Sequence, residues 1–455
     1  MQDQALLLCP SDYSLLTDLY QLTMTACYVG EGVAQQPASF ELFARRLPEG
    51  FSYLVAMGLA QALEYLEQLR FTAEQLADLQ ATGIFAHAPD QFWELLSTAR
   101  FAGDVWAVPE GTVVFANEPL LRIEAPLWQA QIVETYLLNT INYQTLIATK
   151  AARIRDIAGM DATLLEFGTR RAFSPQGSLW AARAAIAAGF DATSNVLAAL
   201  KLGQKPSGTM AHALVMALAA LEGDEDQAFQ AFHRYFPGAT LLIDTYDSIA
   251  AAERLARRVQ AGEPLSAIRL DSGDLVTLSQ QVRQLLPHVS IVASGDLDEF
   301  EIARLQTAGA EINAYGLGTK LVTGPPVNGV YKLVEINHMP VMKESAAKMT
   351  YPGRKQIFRQ ASQGQLKSDR LGLMHETPEP EEVPLLELVL KQGKRLDPPD
   401  DLDTIAERTR LNVTSLPDSV RQIHQPASIQ PLISNALQTL TQHTQKISPN
   451  LPRSD

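Results

Sequence analysis

From about residue 160 the sequence keeps one rhythm: a short apolar run, a polar or glycine-rich break, then a helical stretch rich in Ala, Leu and Arg. The runs fall at residues 163–167, 192–195, 208–211, 241–244, 268–271, 291–294 and 312–315, with 192–195 the weakest. Such runs between helices read as parallel strands, because a parallel pair needs a crossover and a helix supplies it. Seven units without a break favour a closed βα barrel over an open sheet. Ser272, Ser294 and Gly316 each follow a run, at two equal steps of 22 residues.

The flanking parts read differently. Helical periodicity covers residues 11–28, 58–70, 72–82, 89–98 and 129–158. Residues 38–43 form a short strand, and the runs 105–108, 113–115 and 120–123, broken by Pro, Gly and Asn, suggest an antiparallel sheet. Beyond residue 330, strands are expected at 330–336, 340–343, 355–359 and 385–390, an acidic proline-rich loop at 375–384, and a helix at 428–445. The expected fold is α/β: an irregular parallel barrel at 126–329, and a sandwich-like domain made from 1–125 joined by the β-rich 330–400. Residues 401–455 would form a helical tail.

The 455 residues allow about two to four domains. With 37 basic and 51 acidic side chains the formal charge is −14. That excludes nucleic acid or an anionic membrane as the main partner, since both require a basic face. A small anion remains possible, held by backbone amides and a few arginines. Cys9 and Cys27 alone cannot build a disulfide framework or a cysteine metal cluster. The apolar run at 5–9 is too short for a secretory leader and follows the acidic Asp3. No apolar stretch is long enough to span a bilayer. The expectation is a soluble, cytoplasmic protein.

The strand ends carry the candidate chemistry, because a βα barrel places its active site there. Gly295, Gly316 and Gly318 suit turns whose amides approach an oxyanion, with Thr319 adding a hydroxyl; glycine after a strand is equally an ordinary turn residue. Asp271 and Asp274 could face a Mg²⁺–polyphosphate or a developing cation, or could end a strand and cap the next helix. Arg170 and Arg171 could clamp a phosphate or carboxylate, or lie solvated on the surface. His212, just after Ser207-Gly208-Thr209, would sit at a helix start as a nucleophile or base, or be structural. Phe167 and Tyr20 could stack on a flat ring or pack in a core.

Taken in order, these stretches resemble the nicotinate phosphoribosyltransferase family. The resemblance rests on Thr17-Asp18-Leu19-Tyr20-Gln21-Leu22-Thr23-Met24, Glu166-Phe167-Gly168-Thr169-Arg170-Arg171, Gly208-Thr209-Met210-Ala211-His212, Asp244-Thr245-Tyr246-Asp247, Ile268-Arg269-Leu270-Asp271-Ser272-Gly273-Asp274, Ser294-Gly295-Asp296 and Gly316-Leu317-Gly318-Thr319. Pro352-Gly353-Arg354-Lys355-Gln356 adds a late signature. The resemblance runs from about residue 11 to 440.

It implies a homodimer with active sites at the subunit interface. It implies transfer of the ribosyl group of phosphoribosyl pyrophosphate (PRPP) to nicotinate, as the first step of NAD salvage. ATP, the co-substrate, would be hydrolysed through a transient phosphohistidine at His212, with Mg²⁺ held by the pyrophosphate. Asp271 would be the carboxylate on the ribose side, with Asp274 second to it. Phe167 and the other subunit's Tyr20 would sandwich the pyridine. Gly168, Ser194 and Asp296 join the implied binding set. Arg170 and Arg269 would serve the carboxylate and phosphates in an order left open. Gly295, Gly316, Gly318 and Thr319 would cradle the 5′-phosphate. Residues 192–195 are neutral where related nicotinamide enzymes carry an acid, which favours nicotinate. The alternative is a nicotinamide or quinolinate phosphoribosyltransferase on the same fold. A non-catalytic nucleotide-binding protein on this fold is the reading from another class.

Overall fold

The computed structural model describes residues 8–343 and 350–447. Residues 3–7, weighed above as part of a leader, lie outside the described residues, as does the tail after 447. Two compact units emerge. The first takes the chain up to Leu146, from Pro326 to Thr404 and from Thr414 onward; the second takes Ile147–Pro325 and Ile405–Val413.

In the first unit, strand Pro37–Phe43 is central. It pairs antiparallel with Pro119–Pro126 on one side and with Val330–Ile336 on the other. Asp104–Ala107, Glu387–Lys391 and Lys394–Arg395 extend one edge of this seven-stranded sheet, and Met339–Pro340 the other. Both ends of the chain therefore build one sheet, as the sequence suggests. All but the first residue of Pro37–Phe43 is buried, although Ser39 and Glu41 alternate with its apolar residues. Glu41 is completely buried in it, and Lys355 Nζ stands 2.8 Å away. Lys355 also donates from Nζ to the carbonyls of Tyr351 and Gly353. Arg122 Nη1 donates to the Lys355 carbonyl, and its guanidinium lies over the Trp106 ring. The late Pro-Gly-Arg-Lys signature is thus the clamp that holds the returning chain to the first sheet.

A second sheet of this unit orders Glu382–Pro384, Lys355–Ser362, Gln365–Leu373 and Leu432–Ile433. Gln365–Leu373 is a strand the sequence pattern does not predict, Leu402–Thr414 is a helix within the expected helical tail, and a short strand lies inside the expected loop at 375–384. Gln365–Leu373 carries Lys367, Ser368, Asp369 and Arg370 in succession, which hides its strand pattern. The expected first helix is Leu19–Gly30, preceded by a 3₁₀ turn at Pro10–Asp12. The stretch 129–158 is two helices, Leu127–Ile132 and Glu134–Ala158.

The second unit holds six parallel strands in the order Ala192–Thr193, Thr163–Glu166, Ala314–Leu317, Ser290–Ser294, Ala267–Leu270, Leu241–Leu242. The expected strand at 208–211 is instead extended chain without a ladder. The stretch still bridges the two sides of the sheet. Ser207 N–H donates to the Thr193 carbonyl at 2.9 Å, and Arg269 Nη2 donates to the Met210 carbonyl at 3.1 Å. Among the described residues no ladder closes the sheet into a continuous barrel. The register refines the 22-residue step. Ser294 is level with Gly316. Ala293 pairs with Leu270, so Asp271, rather than Ser272, falls level with Ser294. Among the described residues no helix is long and apolar enough to cross a membrane.

One buried acid gives the first unit a pH dependence. Glu118 is fully buried and accepts the Phe115 N–H at 2.7 Å. Burial, and then the neighbouring Asp369 carboxylate, push its carboxyl well above the ordinary range; Arg359 opposes them. A carboxyl raised in the folded chain binds its proton more tightly there than in the unfolded chain. Its contribution is then greatest at low pH and is lost as pH climbs from the ordinary carboxylate range toward the raised value. Glu118→Gln keeps a donor toward Asp369 and an acceptor for Phe115. Urea midpoints measured from pH 5 to 8 should fall less steeply with pH in this variant than in the parent chain.

Candidate active site

The site is built where the parallel strands of the second unit end. Asp244 follows Leu241–Leu242, and its side chain is only 3% exposed. Oδ2 accepts the Asp271 N–H at 3.0 Å and the Ser272 hydroxyl at 2.6 Å. Oδ1 has no hydrogen-bond partner and faces His212 Nε2 at 3.9 Å. His212 opens helix His212–Glu222, and its Nδ1 lies 3.1 Å from Thr245 Oγ1. The imidazole, 39% exposed, is therefore oriented at Nδ1 by Thr245, with the Asp244 carboxylate 3.9 Å from Nε2. One strand further, the Ser294 hydroxyl donates to Asp271 Oδ1 at 2.5 Å. His212, Asp244, Asp271 and Ser294 form one connected row.

Arg269 lies two residues before Asp271, half-buried, and its Nε makes no hydrogen bond. Burial pulls its guanidinium below the usual arginine range, Asp271 and Asp244 push it back up, and Arg170 pulls it down further. Arg170 is exposed in the turn after Thr163–Glu166. Two guanidiniums thus flank two carboxylates, an arrangement able to receive an anion beside a developing positive centre.

Phe167 is fixed by its N–H to the Leu317 carbonyl at 2.7 Å. Its ring lies against Gly316: a Cβ there would stand 2.5 Å from Phe167 Cε2. Gly316 is small because the ring occupies the space beside it. Gly295 has φ +93°, and a Cβ on it would stand 2.3 Å from the Asp271 carbonyl. Any side chain at 295 would both strain the turn and displace Asp271. Ser194 is half-buried, and its N–H meets the Glu166 carbonyl. Gly318 precedes the short helix Thr319–Val322, with Thr319 half-buried at its start. Asp296 adopts a left-handed φ of 44°. The adjacent Lys320 is tied to Asp298 at 2.9 Å.

Asp274 is differently engaged. It is exposed and caps helix Leu275–Leu285, accepting from Val276 N–H and the Thr277 hydroxyl. The Thr277 bond holds its carboxyl below the usual range. Both of its oxygens serve its own helix. Tyr20 belongs to the first unit, on the exposed side of Leu19–Gly30. Partial burial, then Glu134 and Asp18, push its phenol up to about 12. Asp244, Thr245, Glu166 and Thr193 were not singled out from the sequence. The signal for Asp244 was present, since it ends an apolar run as Asp271 does.

A parallel α/β sheet with carboxylates, guanidiniums and a histidine gathered at its strand ends defines an enzyme for small anionic substrates. Residues 15–142 match the nicotinate phosphoribosyltransferase (NAPRTase) N-terminal domain, and residues 162–369 match the nicotinate phosphoribosyltransferase (NAPRTase) family. A nicotinate phosphoribosyltransferase of Mycobacterium tuberculosis is 40% identical over 422 residues, covering 90% of this chain and 89% of that one. Another from Bacillus subtilis is 43% identical over 374 residues, covering 78% and 75%. The crystal structure of human nicotinic acid phosphoribosyltransferase superposes with a TM-score of 0.82 at 30% identity, over 94% of this chain and 99% of that one. The chain belongs to the nicotinate phosphoribosyltransferase family, and it is an enzyme.

The contact between Gly316 and Phe167 yields a sharp test. Gly316→Ala should push the ring aside and lower kcat/KM by about tenfold or more, with little change in secondary structure by circular dichroism. Unchanged kinetics would show that the ring's position is immaterial.

Proposed function

We propose that this enzyme joins nicotinate to PRPP, giving nicotinate mononucleotide and pyrophosphate. The reading is carried by the connected row His212–Asp244–Asp271, with Phe167 and two arginines beside it. As the C1′–O bond to pyrophosphate breaks, positive charge grows on the ribosyl group. The Asp271 carboxylate, held in place by Ser294 and through its own N–H by Asp244, stabilises that charge. The pyridine nitrogen supplies the electron pair of the new N–C1′ bond, and Phe167 keeps the ring facing it. Arg170 and Arg269 bind the nicotinate carboxylate and the phosphates. The turns at Gly295, Gly316, Gly318 and Thr319 take the 5′-phosphate, and Ser194, Gly168 and Asp296 border the site.

His212 takes the γ-phosphoryl group of ATP onto a ring nitrogen, releasing ADP, and water later removes it. Thr245 and Asp244 hold the ring for that attack. Among the described residues, no three His, Cys, Asp or Glu side chains converge to hold a metal. Mg²⁺ enters with the pyrophosphate as part of the substrate in this reading. The same reading makes the enzyme a cytoplasmic homodimer in which the partner subunit's Tyr20 closes over the pyridine. It then serves the first step of NAD salvage.

The test is a turnover assay with nicotinate, nicotinamide and quinolinate, each with PRPP and Mg²⁺, with and without ATP. Nicotinate should be favoured, with synthesis stimulated by ATP. Preference for either other pyridine overturns the substrate assignment. His212→Ala should abolish the stimulation and leave slow ATP-independent synthesis; retained coupling removes His212 from the role. Asp271→Ala should lose about 10²-fold or more in rate while staying folded. Near-normal turnover removes it from the mechanism.

A further inference from the structure

Glu166 is the last residue of strand Thr163–Glu166 and is completely buried. Among the described residues no Lys, Arg or His forms an ion pair with it. Burial raises its carboxyl, and only hydrogen bonds oppose that. An uncompensated carboxylate in a strand end is costly, so what it holds is informative. Oε1 accepts the Gly168 N–H. Oε2 accepts the Thr193 hydroxyl at 2.5 Å. That same Thr193 oxygen accepts the Asn195 N–H at 2.9 Å. Asn195 caps helix Val196–Lys201 through Ala198 N–H, and its Nδ2 donates to Ser178 Oγ at 3.2 Å. The Glu166 carbonyl meanwhile accepts the Ser194 N–H at 2.9 Å.

Glu166 therefore ties together two turns on neighbouring strands. One carries Phe167 and Arg170, and the other carries Ser194. A chain of this kind fixes a distance, because each bond has a named donor and acceptor and none is shared with solvent. We propose that Glu166, acting through Thr193 and Gly168, is a positioning residue that sets the slot between the Phe167 ring and Ser194 and thereby the fit of the pyridine. This rests on the reading that the pyridine stacks on Phe167. PRPP is gathered mainly at Asp271, Arg269 and the Gly295 turn, which this tie does not touch, so that the proposal assigns Arg170 to the nicotinate carboxylate.

Thr193→Val removes only the hydroxyl, Thr193→Ser retains it, and Glu166→Gln keeps the shape with one acceptor fewer. KM for nicotinate should rise about tenfold, or ~1.4 kcal/mol, in Thr193→Val and Glu166→Gln. kcat and KM for PRPP should stay within about twofold, and Thr193→Ser should behave as the parent chain. Melting curves accompany each variant. A folded Thr193→Val with unchanged nicotinate KM overturns the proposal, as does an equal rise in KM for both substrates. If the parent chain prefers another pyridine, the functional reading fails while the same variants, assayed with that pyridine, still decide the role of Glu166.

Discussion

The Asp244 carboxylate organises the strand ends around it. One of its oxygens takes a backbone N–H and a hydroxyl from the next strand end, which fixes where Asp271 projects. The other takes no hydrogen bond and looks at the His212 ring. Hydrogen bonding of a buried acid normally satisfies both oxygens. Leaving one open beside an imidazole gives the carboxylate something to do when that ring gains positive charge. The two groups assigned to separate chemical events, phosphoryl acceptance and ribosyl stabilisation, are thus one side chain apart. A change in charge at His212 is felt by the residue that positions Asp271, with no long-range path required.

An acidic protein must hold anionic substrates by local means. The charge of −14 belongs to the chain as a whole. At the strand ends Arg269 is half-buried with a free Nε, and Arg170 stands close enough to oppose its charge. Like charges brought together without a ligand are unfavourable, and an anion between them relieves the repulsion. The partial burial of Arg269 strengthens its share of these interactions beyond what an exposed side chain would provide. Net charge therefore says little about the ligand once the fold has segregated its arginines.

Much of this was legible in the sequence because the alternation of apolar runs and helices is a long, repeated signal. Each of the seven runs in the second unit ends at or next to a residue that the structure places at the strand ends, His212 included through its turn. At 208–211 apolar content alone does not reveal that the backbone meets its neighbours only at single points, through Ser207 and Met210. Gly316 was read as a phosphate turn, and only coordinates show that the Phe167 ring needs its missing Cβ. Asp274 had two readings, and its capping bonds are local chemistry that a sequence allows but does not select. Asp244 and Glu166 escaped because their importance lies in partners 27 residues away. The clamp at Lys355 spans still more chain, 314 residues from Glu41.

Two buried groups of carboxylates are paired in opposite ways, one in each unit. In the first, Glu41 is matched by Lys355 and Arg122, and the Lys355 ammonium is further bound by two carbonyls. Removing one member would strand a charge in the core at a cost of about 3–5 kcal/mol. Such a cluster specifies which strands meet, and it has no capacity left for a ligand. At the strand ends of the second unit, no Lys, Arg or His among the described residues forms an ion pair with Glu166, and Asp244 has an imidazole at 3.9 Å and the half-buried Arg269 near enough to act on its charge. Their partners are backbone amides and hydroxyls, which orient without neutralising. A carboxylate held that way keeps its field, and the strand ends are where a reacting cation would meet it. The difference in pairing separates the cluster that holds the first sheet together from the strand ends equipped to do chemistry; it does not divide the whole units, since Arg153 and Glu299 form a buried pair at 3.0 Å in the second.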